Sequence, residues 1–347
     1  MMAHDNQRRN SILGLATILA ATLMFIFASN DANTIQIQND HRQRKLNLDP
    51  KTVIPREVAE SIIDSPTNTD EKLVREETCK PHVMFSTFRC SEDSSACTPL
   101  RQRIEDNTYH VWSSFPEEVT FKVIHSSKLE TNIHGVPILK DMYLNMMEEC
   151  PNALTYTYIN GDIIGTRNFI DSINVALSLE KEFLMVGKRT NVPWKESMDV
   201  RDENFHWTNL GGQMFKRYAE DYFTFTKNAI DWNMEIPPLV IGRSGYDNWL
   251  VDYVYHKANV VLVDASYSAT MYHQSQGSNR GARGPLEEAD KAYNFNLLHE
   301  AGLQVGGYGY TTNAEWQTYR HKGGQIKLRH PRGWSYEQAK KDGYDSK

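Results

Sequence analysis

Ala153-Leu-Thr-Tyr-Thr-Tyr-Ile-Asn-Gly-Asp162 is rich in β-branched and aromatic residues and then stops at a turn dipeptide and an acid. Thr, Tyr and Ile favour a pleated, extended backbone and Asn-Gly ends it, so the stretch predicts a strand over 153–159 with Asp162 just past its carboxyl end. Working outward, His82-Val-Met-Phe-Ser-Thr-Phe88 and Val119-Thr-Phe-Lys-Val-Ile124 read as earlier strands, and 136–149 carries apolar residues at helical spacing. Val260-Val-Leu-Val-Asp-Ala-Ser266 is a further apolar strand. Strands alternating with helical segments predict an α/β layered fold with a mostly parallel sheet. Ligands of such sheets bind beyond the carboxyl ends of the strands, which is where Asp162 is expected.

The 347 residues allow one large domain or two smaller ones, and the formal net charge of -6 argues against a general affinity for nucleic acid. Ser11 to Ala28 is eighteen residues without a charge, preceded by Arg8-Arg9. It is long enough to span a membrane and predicts an uncleaved signal-anchor behind a cytosolic tail of residues 1–10, with a cleaved signal peptide as the rival reading. Residues 29–78 contain no aromatic residue and no glycine, too little apolar surface to fold alone, and read as a stem. The globular domain is therefore expected over 79–347. Cys79, Cys90, Cys97 and Cys150 all lie beyond the span, an even number that suits one or two disulfides in any of three full pairings. Zinc is disfavoured, because no Cys-x-x-Cys or paired His spacing accompanies them.

Candidate chemistry sits at three places. Ile236-Pro-Pro-Leu-Val-Ile-Gly-Arg-Ser-Gly-Tyr-Asp-Asn-Trp-Leu250 sets Asp247 among glycines and aromatics. Residues 239–241 predict a short buried strand, Gly242 and Gly245 a sharp turn, and 246–255 a helix with Asp247 in its first turn. Asp247 then serves as a helix cap or as a base, and Tyr246 and Trp249 flank it as rings that could stack on a sugar, with core packing the alternative for Trp249. Asp162 is either a turn residue or a carboxylate placed to hold a divalent ion that bridges diphosphate oxygens. His273, past the 260–266 strand, is a possible second metal ligand through a neutral imidazole nitrogen. Residues 276–284, with three glycines and two arginines, fit a loop closing over a phosphate-bearing ligand or a plain surface loop. Residues 285–301 predict one helix with proline in its first turn.

The ordered set Tyr158-Ile-Asn-Gly-Asp-Ile163, Phe183-Leu-Met-Val-Gly-Lys-Arg189, Ala219-Glu-Asp-Tyr-Phe-Thr-Phe225, the 236–250 stretch, Val263-Asp-Ala265 and His273-Gln274 resembles the nucleotide-diphospho-sugar transferases of the GT-A type. More narrowly, it is similar to a group of glycosyltransferase-like proteins with Gly-Arg-x-x-Tyr/Trp-Asp-Asn-Trp and a later His-Gln. The resemblance covers roughly residues 80–320. It implies a Rossmann-like nucleotide-binding half joined to an acceptor-binding half in one continuous sheet. It also implies a divalent metal, manganese being the expected one, with Asp162 matching the metal-binding acid of an Asp-x-Asp motif. Here the sequence departs from the pattern, since Asn160 stands where many relatives carry the first acid. Lys188 and Arg189 match positions close to the donor phosphates. Asp221 falls in the segment approaching the sugar or acceptor, with Arg243 beside the acceptor motif and Asp247 as the base of an inverting transfer. The expectation is a Golgi-membrane, single-pass, lumenal glycosyltransferase acting on a glycan, protein or lipid acceptor. Its alternatives are a catalytically silent glycan- or partner-binding protein of the same fold, and a secreted form.

Overall fold

Alternation of apolar side chains along five buried strands builds the core of this chain. Val83 and Phe85, Tyr156 and Tyr158, Leu184 and Val186, Phe223 and Phe225, and Val260 and Leu262 all enter one hydrophobic cluster. The intervening Met84, Phe183, Met185, Tyr222, Val261 and Val263 enter a second cluster on the opposite face. Successive strand side chains point to opposite faces, so a sheet with two apolar faces must be covered on both.

The protein is described by a computed structural model over residues 79–92, 97–217, 220–275, 292–303 and 309–331, all within the unit 74–347. The expected signal-anchor, the stem, the 276–284 loop and the proline-led start of the 285–301 helix lie outside the described residues. Among the described residues no helix is long and apolar enough to cross a membrane.

The main sheet contains β1 (His82–Ser86), β2 (Val119–Val123), β3 (Thr155–Ile159), β5 (Glu182–Val186), β8 (Tyr222–Thr226), β9 (Val260–Tyr267), β11 (Trp316–Arg320) and β12 (Ile326–Arg329). Their spatial order is β12-β11-β9-β5-β8-β3-β1-β2. β1, β2 and β3 are parallel, as are β5, β9 and β11. β8 runs antiparallel to both β3 and β5, which joins the two parallel sets in one direction, and β12 is antiparallel at the edge. The sheet is therefore mixed, and its reversed central strand has a consequence for the site: the start of β8 lies at the same rim as the carboxyl ends of β3, β5 and β9.

Helices α2 (Leu139–Glu149), α4 (Tyr246–Tyr255) and α5 (Tyr293–Glu300) cover the first cluster through Met142, Tyr143, Leu250, Val254 and Leu298. Helices α1 (Pro99–Ser113) and α3 (Asn168–Leu177) cover the second through Ile104, Trp112, Phe169 and Ile173. Thr98 caps α1 by accepting from the Arg101 amide, with Pro99 in the first turn. The result is a three-layer α/β/α arrangement.

The main sheet is continuous over eight strands, and a second, four-stranded sheet accompanies it. The Asn160–Asp162 turn sends the chain out of the main sheet into β4 (Ile163–Gly165), which pairs with β10 (Met271–Ser275). β6 (Thr190–Pro193) and β7 (Gln213–Met214) complete this second sheet, of order β4-β10-β6-β7. The predicted strand at 239–241 is absent. Val240 makes one bridge to Ile138, and the Asn294 side chain takes both its N–H, at 2.8 Å, and its carbonyl, at 2.9 Å. An amide side chain thus does the work of a strand partner there. Two disulfides select one of the three pairings, Cys79–Cys150 and Cys90–Cys97.

Candidate active site

The rim formed by the ends of β3, β5 and β9 and the start of β8 gathers most of the residues that the sequence singled out. After β3, the Asn160 amide N–H bonds the carbonyl of Asp221 at 3.0 Å, and its side-chain Nδ2 donates to Asp221 Oδ1 at 2.8 Å. Tyr158 donates its hydroxyl to Asn160 Oδ1 at 2.9 Å. Gly161 lies so close to Thr87 and Phe88 that a Cβ would stand 2.8 Å from the Thr87 carbonyl oxygen. Only glycine fits that turn, and it sets Asp162, 8% exposed, against the second sheet.

Asp162 Oδ2 faces His273 Nε2 at 3.4 Å and Arg101 Nη1 at 3.6 Å. Burial alone would raise the proton affinity of this carboxyl. The charge and hydrogen bond of His273, with Arg101 and Arg189, outweigh it and hold the group well below the ordinary carboxylate range. His273 is aligned by the β4–β10 ladder, in which it lies opposite Ile163, and its Nδ1 bonds Asn191 Oδ1 at 3.1 Å. Asn191 Oδ1 also accepts from Arg189 Nε at 2.9 Å. With Nδ1 donating to Asn191, Nε2 turns toward Asp162. The Asn191 carbonyl oxygen thus fixes the orientation of the His273 ring. Among the described residues no group of three or more His, Cys, Asp or Glu could hold a metal. Asp162 and His273 are the two groups of metal-ligating type that the site brings together, and a hard divalent ion on such a pair would need further oxygen ligands from outside the chain.

Gln274, the other half of the His-Gln motif, is structural. Its backbone N–H bonds the Asp162 carbonyl at 3.0 Å, and its buried amide donates to Ile104 O and Thr108 Oγ1, each at 3.1 Å. It ties α1 to β10 beneath the Asp162 turn.

Arg189 ion-pairs with Asp221 through Nη1 and lies over the Phe215 ring, 4.9 Å from its centroid. Lys188 bonds Ser266 Oγ through its backbone N–H, and its ammonium lies 5.1 Å from the centroid of the Tyr267 ring. Gly187 before them cannot bear a side chain: a Cβ would meet Tyr222 Oη at 2.0 Å. Asp264 of the Val-Asp-Ala motif accepts from the Ser266 amide and Gln317 Nε2, and burial raises its pKa.

On the other side of the rim, α4 starts at Gly245, φ 103°, and carries Asp247 in its first turn. Asp247 Oδ1 is buried and has no hydrogen-bond partner among the described residues. Burial first, then the charge of Asp221, raise its pKa to about 6 against the pull of the Asn248, Asp247 and Gly245 amides. Asn248 Nδ2 donates to Gly309 O at 2.8 Å and to Glu220 Oε2 at 3.3 Å. Arg243 lies in the turn ahead of α4 and donates to the Gly242 carbonyl at 3.2 Å.

Two expected substrate contacts are corrected. Tyr246 and Trp249 are 4% and 5% exposed and belong to the first core cluster, Tyr246 against Phe223 and Trp249 stacked on Tyr253. The stripe that buries α4 takes both rings inward, so neither offers a face to a sugar. Arg101, Asn191 and Glu220 are site residues that the sequence reading missed. Arg101 and Glu105 stand one turn apart on α1, where Glu105 also accepts the Arg89 and Cys90 amides.

The chain matches no protein-family model, and no curated protein matches it in sequence. Among solved structures it is similar to a glycosyltransferase involved in the glycosylation of the major capsid of PBCV-1, at 13% identity over 57% of this chain and 94% of that one, with a TM-score of 0.34. It is also similar to S. aureus TarS in complex with UDP-GlcNAc, at 10% identity over 67% and 69% of the two chains, TM-score 0.39. A third similar structure is 4-diphosphocytidyl-2C-methyl-D-erythritol synthase from Anaerococcus prevotii, at 11% identity over 63% and 98%, TM-score 0.31.

Proposed function

We propose that this protein is a glycosyltransferase that moves a sugar from a nucleotide-diphosphate donor to an acceptor hydroxyl. The observation that carries the reading is the joint placement, on one rim of the sheet, of a cation-facing carboxylate and a carboxyl poised to act as a base. Asp162 is the first, beside His273 and Arg101. Asp247 is the second, with its pKa raised to about 6.

Asp162 and His273 would hold the divalent ion, manganese being the expected one, which when bound supplies positive charge against the departing diphosphate. Arg101, Arg189 and Lys188 add fixed positive charge around it, and such preorganised charge favours a leaving diphosphate. Asp221 anchors Arg189 and Asn160. Asp247, ionised above its pKa, takes the proton of the acceptor hydroxyl as that oxygen attacks the anomeric carbon. The bond from that carbon to the diphosphate breaks, and the nucleoside diphosphate leaves with the bonding pair. A carboxyl with a pKa near 6 combines ionisation at neutral pH with useful basicity.

The paired cysteines support a non-cytosolic domain, in line with an anchor at Ser11–Ala28 and a lumenal, Golgi placement. Donor hydrolysis or transfer with purified nucleotide sugars tests the activity: turnover that is lost in Asp247→Asn supports it. Nucleotide-sugar binding without turnover in any donor and acceptor pairing would leave the silent binding protein as the better reading.

A further inference from the structure

Glu220 stands two residues ahead of β8 and next to Asp221, and the two side chains serve different halves of the rim. Asp221 turns to Asn160 and Arg189, whereas Glu220 meets Asn248 of α4. Glu220 is 2% exposed, and its Oε1 is buried with no hydrogen-bond partner among the described residues. Thr311 Oγ1, at a residue that is 1% exposed, is likewise without a partner. An ionised carboxylate so far from water needs a cation or several donors, and without them the group keeps its proton instead.

The charged and titratable groups of the surrounding elements give it no cation. Asp247 on α4 and Asp221, the next residue along the chain, are acids, and Tyr222 is a buried phenol. Arg189 is committed to Asp221. Lys188, whose backbone bridges Glu220, places its ammonium over Tyr267, and Arg217 lies over Tyr310. No described cation forms an ion pair with Glu220 in this arrangement.

We propose that Glu220 is a positioning residue that enters the site as an uncharged acid and leaves Asp247 to carry the negative charge of the pair. Its Oε2 and the Gly309 carbonyl together fix the Asn248 amide, the residue next to Asp247 in the first turn of α4. Burial, then the charges of Asp247 and Asp221, push its proton affinity well above the ordinary range, and the amides of Glu220 and Thr311 do not reverse this. Were Glu220 ionised, a second negative charge would raise the proton affinity of Asp247 further and take that base out of action at neutral pH. Its neutrality keeps Asp247 usable. The functional part of this inference rests on the transferase reading; the protonation state does not.

The test has two arms, both on the full chain. In the first, infrared difference spectroscopy at neutral pH compares the protein with Glu220→Gln. Loss of intensity in the protonated-carboxyl band is expected, and loss in the ionised-carboxylate bands overturns the proposal. In the second, the pH profile of kcat/KM is followed for both proteins. The acid limb near 6 stays in place in Glu220→Gln, because glutamine mimics the neutral acid. A fall of that limb by about one unit or more shows that Glu220 was charged and overturns the proposal. If the unmodified protein shows no transfer, the transferase reading fails while the infrared arm still decides the state of Glu220. If Glu220→Gln does not fold, Glu220→Met takes its place in both arms, since it removes the carboxyl without adding a polar group.

Discussion

Asn160 donates from Nδ2 to Oδ1 of Asp221 across 2.8 Å. That contact gives position 160 a physical reason to carry an amide. An acid at 160 would point a carboxylate at a carboxylate, whereas the amide holds Asp221 in place to receive Arg189. Asn160 is thus a hydrogen-bond donor that organises the rim.

Asn160→Asp replaces that donor with a like charge, and it should lower stability by about 1–3 kcal/mol, the cost of a lost buried hydrogen bond with an unfavourable neighbour. The two carboxylates would share a raised proton affinity in the folded state, so the deficit is greatest at neutral pH and shrinks as pH falls through the carboxylate range. Denaturant unfolding at several pH values measures it; an equal deficit at all of them contradicts the electrostatic account.

Asp247→Asn should cut transfer by on the order of a hundredfold or more while raising stability. The folded-state pKa of Asp247, about 6, lies above its ordinary 3.8. The folded protein therefore binds the extra proton between those values, and stability falls as pH rises through about 4 to 6. Above that window the buried charge costs up to about 3 kcal/mol, which asparagine removes. A mere capping role predicts neither effect, since Asn caps a helix as well as Asp.

Trp249→Phe should leave the acceptor KM unchanged and cost stability, because the indole is core and not a sugar platform. Trp249→Ala extends the effect to about 3–5 kcal/mol. A large rise in acceptor KM with undiminished Tm would return Trp249 to the binding surface.

Cys79–Cys150 ties the chain ahead of β1 to the end of α2 across 71 residues, and Cys90–Cys97 closes seven. Chain entropy alone assigns about 4 kcal/mol to the first and about 2–3 kcal/mol to the second. Cys79→Ser with Cys150→Ser should therefore lower the unfolding free energy more than the Cys90 and Cys97 pair of substitutions, as read by denaturant titration. The reverse order would show that native-state effects dominate the loop term.

Most of the framework was legible because it follows from local pattern. The strands at 82, 119, 155 and 260 alternate or run apolar as their two-faced burial requires, and the predicted helix over 246–255 matches α4. What escaped depends on partners distant in sequence. Residues 239–241 are apolar enough for a strand, but Asn294 satisfies Val240 instead. Arg101 becomes a site residue through Asp162, and Glu220 through Asn248; neither pairing has a sequence-local signal. Tyr246 and Trp249 flank an acid as stacking rings would, yet the same spacing is that of a buried helix stripe, and packing decided between them. Asp162 and His273 were read together as possible metal ligands although 111 positions separate them in the sequence, and the β4–β10 ladder is what brings them to 3.4 Å.

The most direct test of the central claim is a thermal-shift comparison of the protein and Asp162→Ala against nucleoside diphosphates and nucleotide sugars, with and without manganese. The account predicts a manganese-dependent rise in Tm with one nucleotide class, worth about 2.7 kcal/mol at a hundredfold excess over Kd, and its loss in Asp162→Ala. A folded protein that no nucleotide stabilises, or an Asp162→Ala variant stabilised as strongly as the unaltered chain, would contradict it.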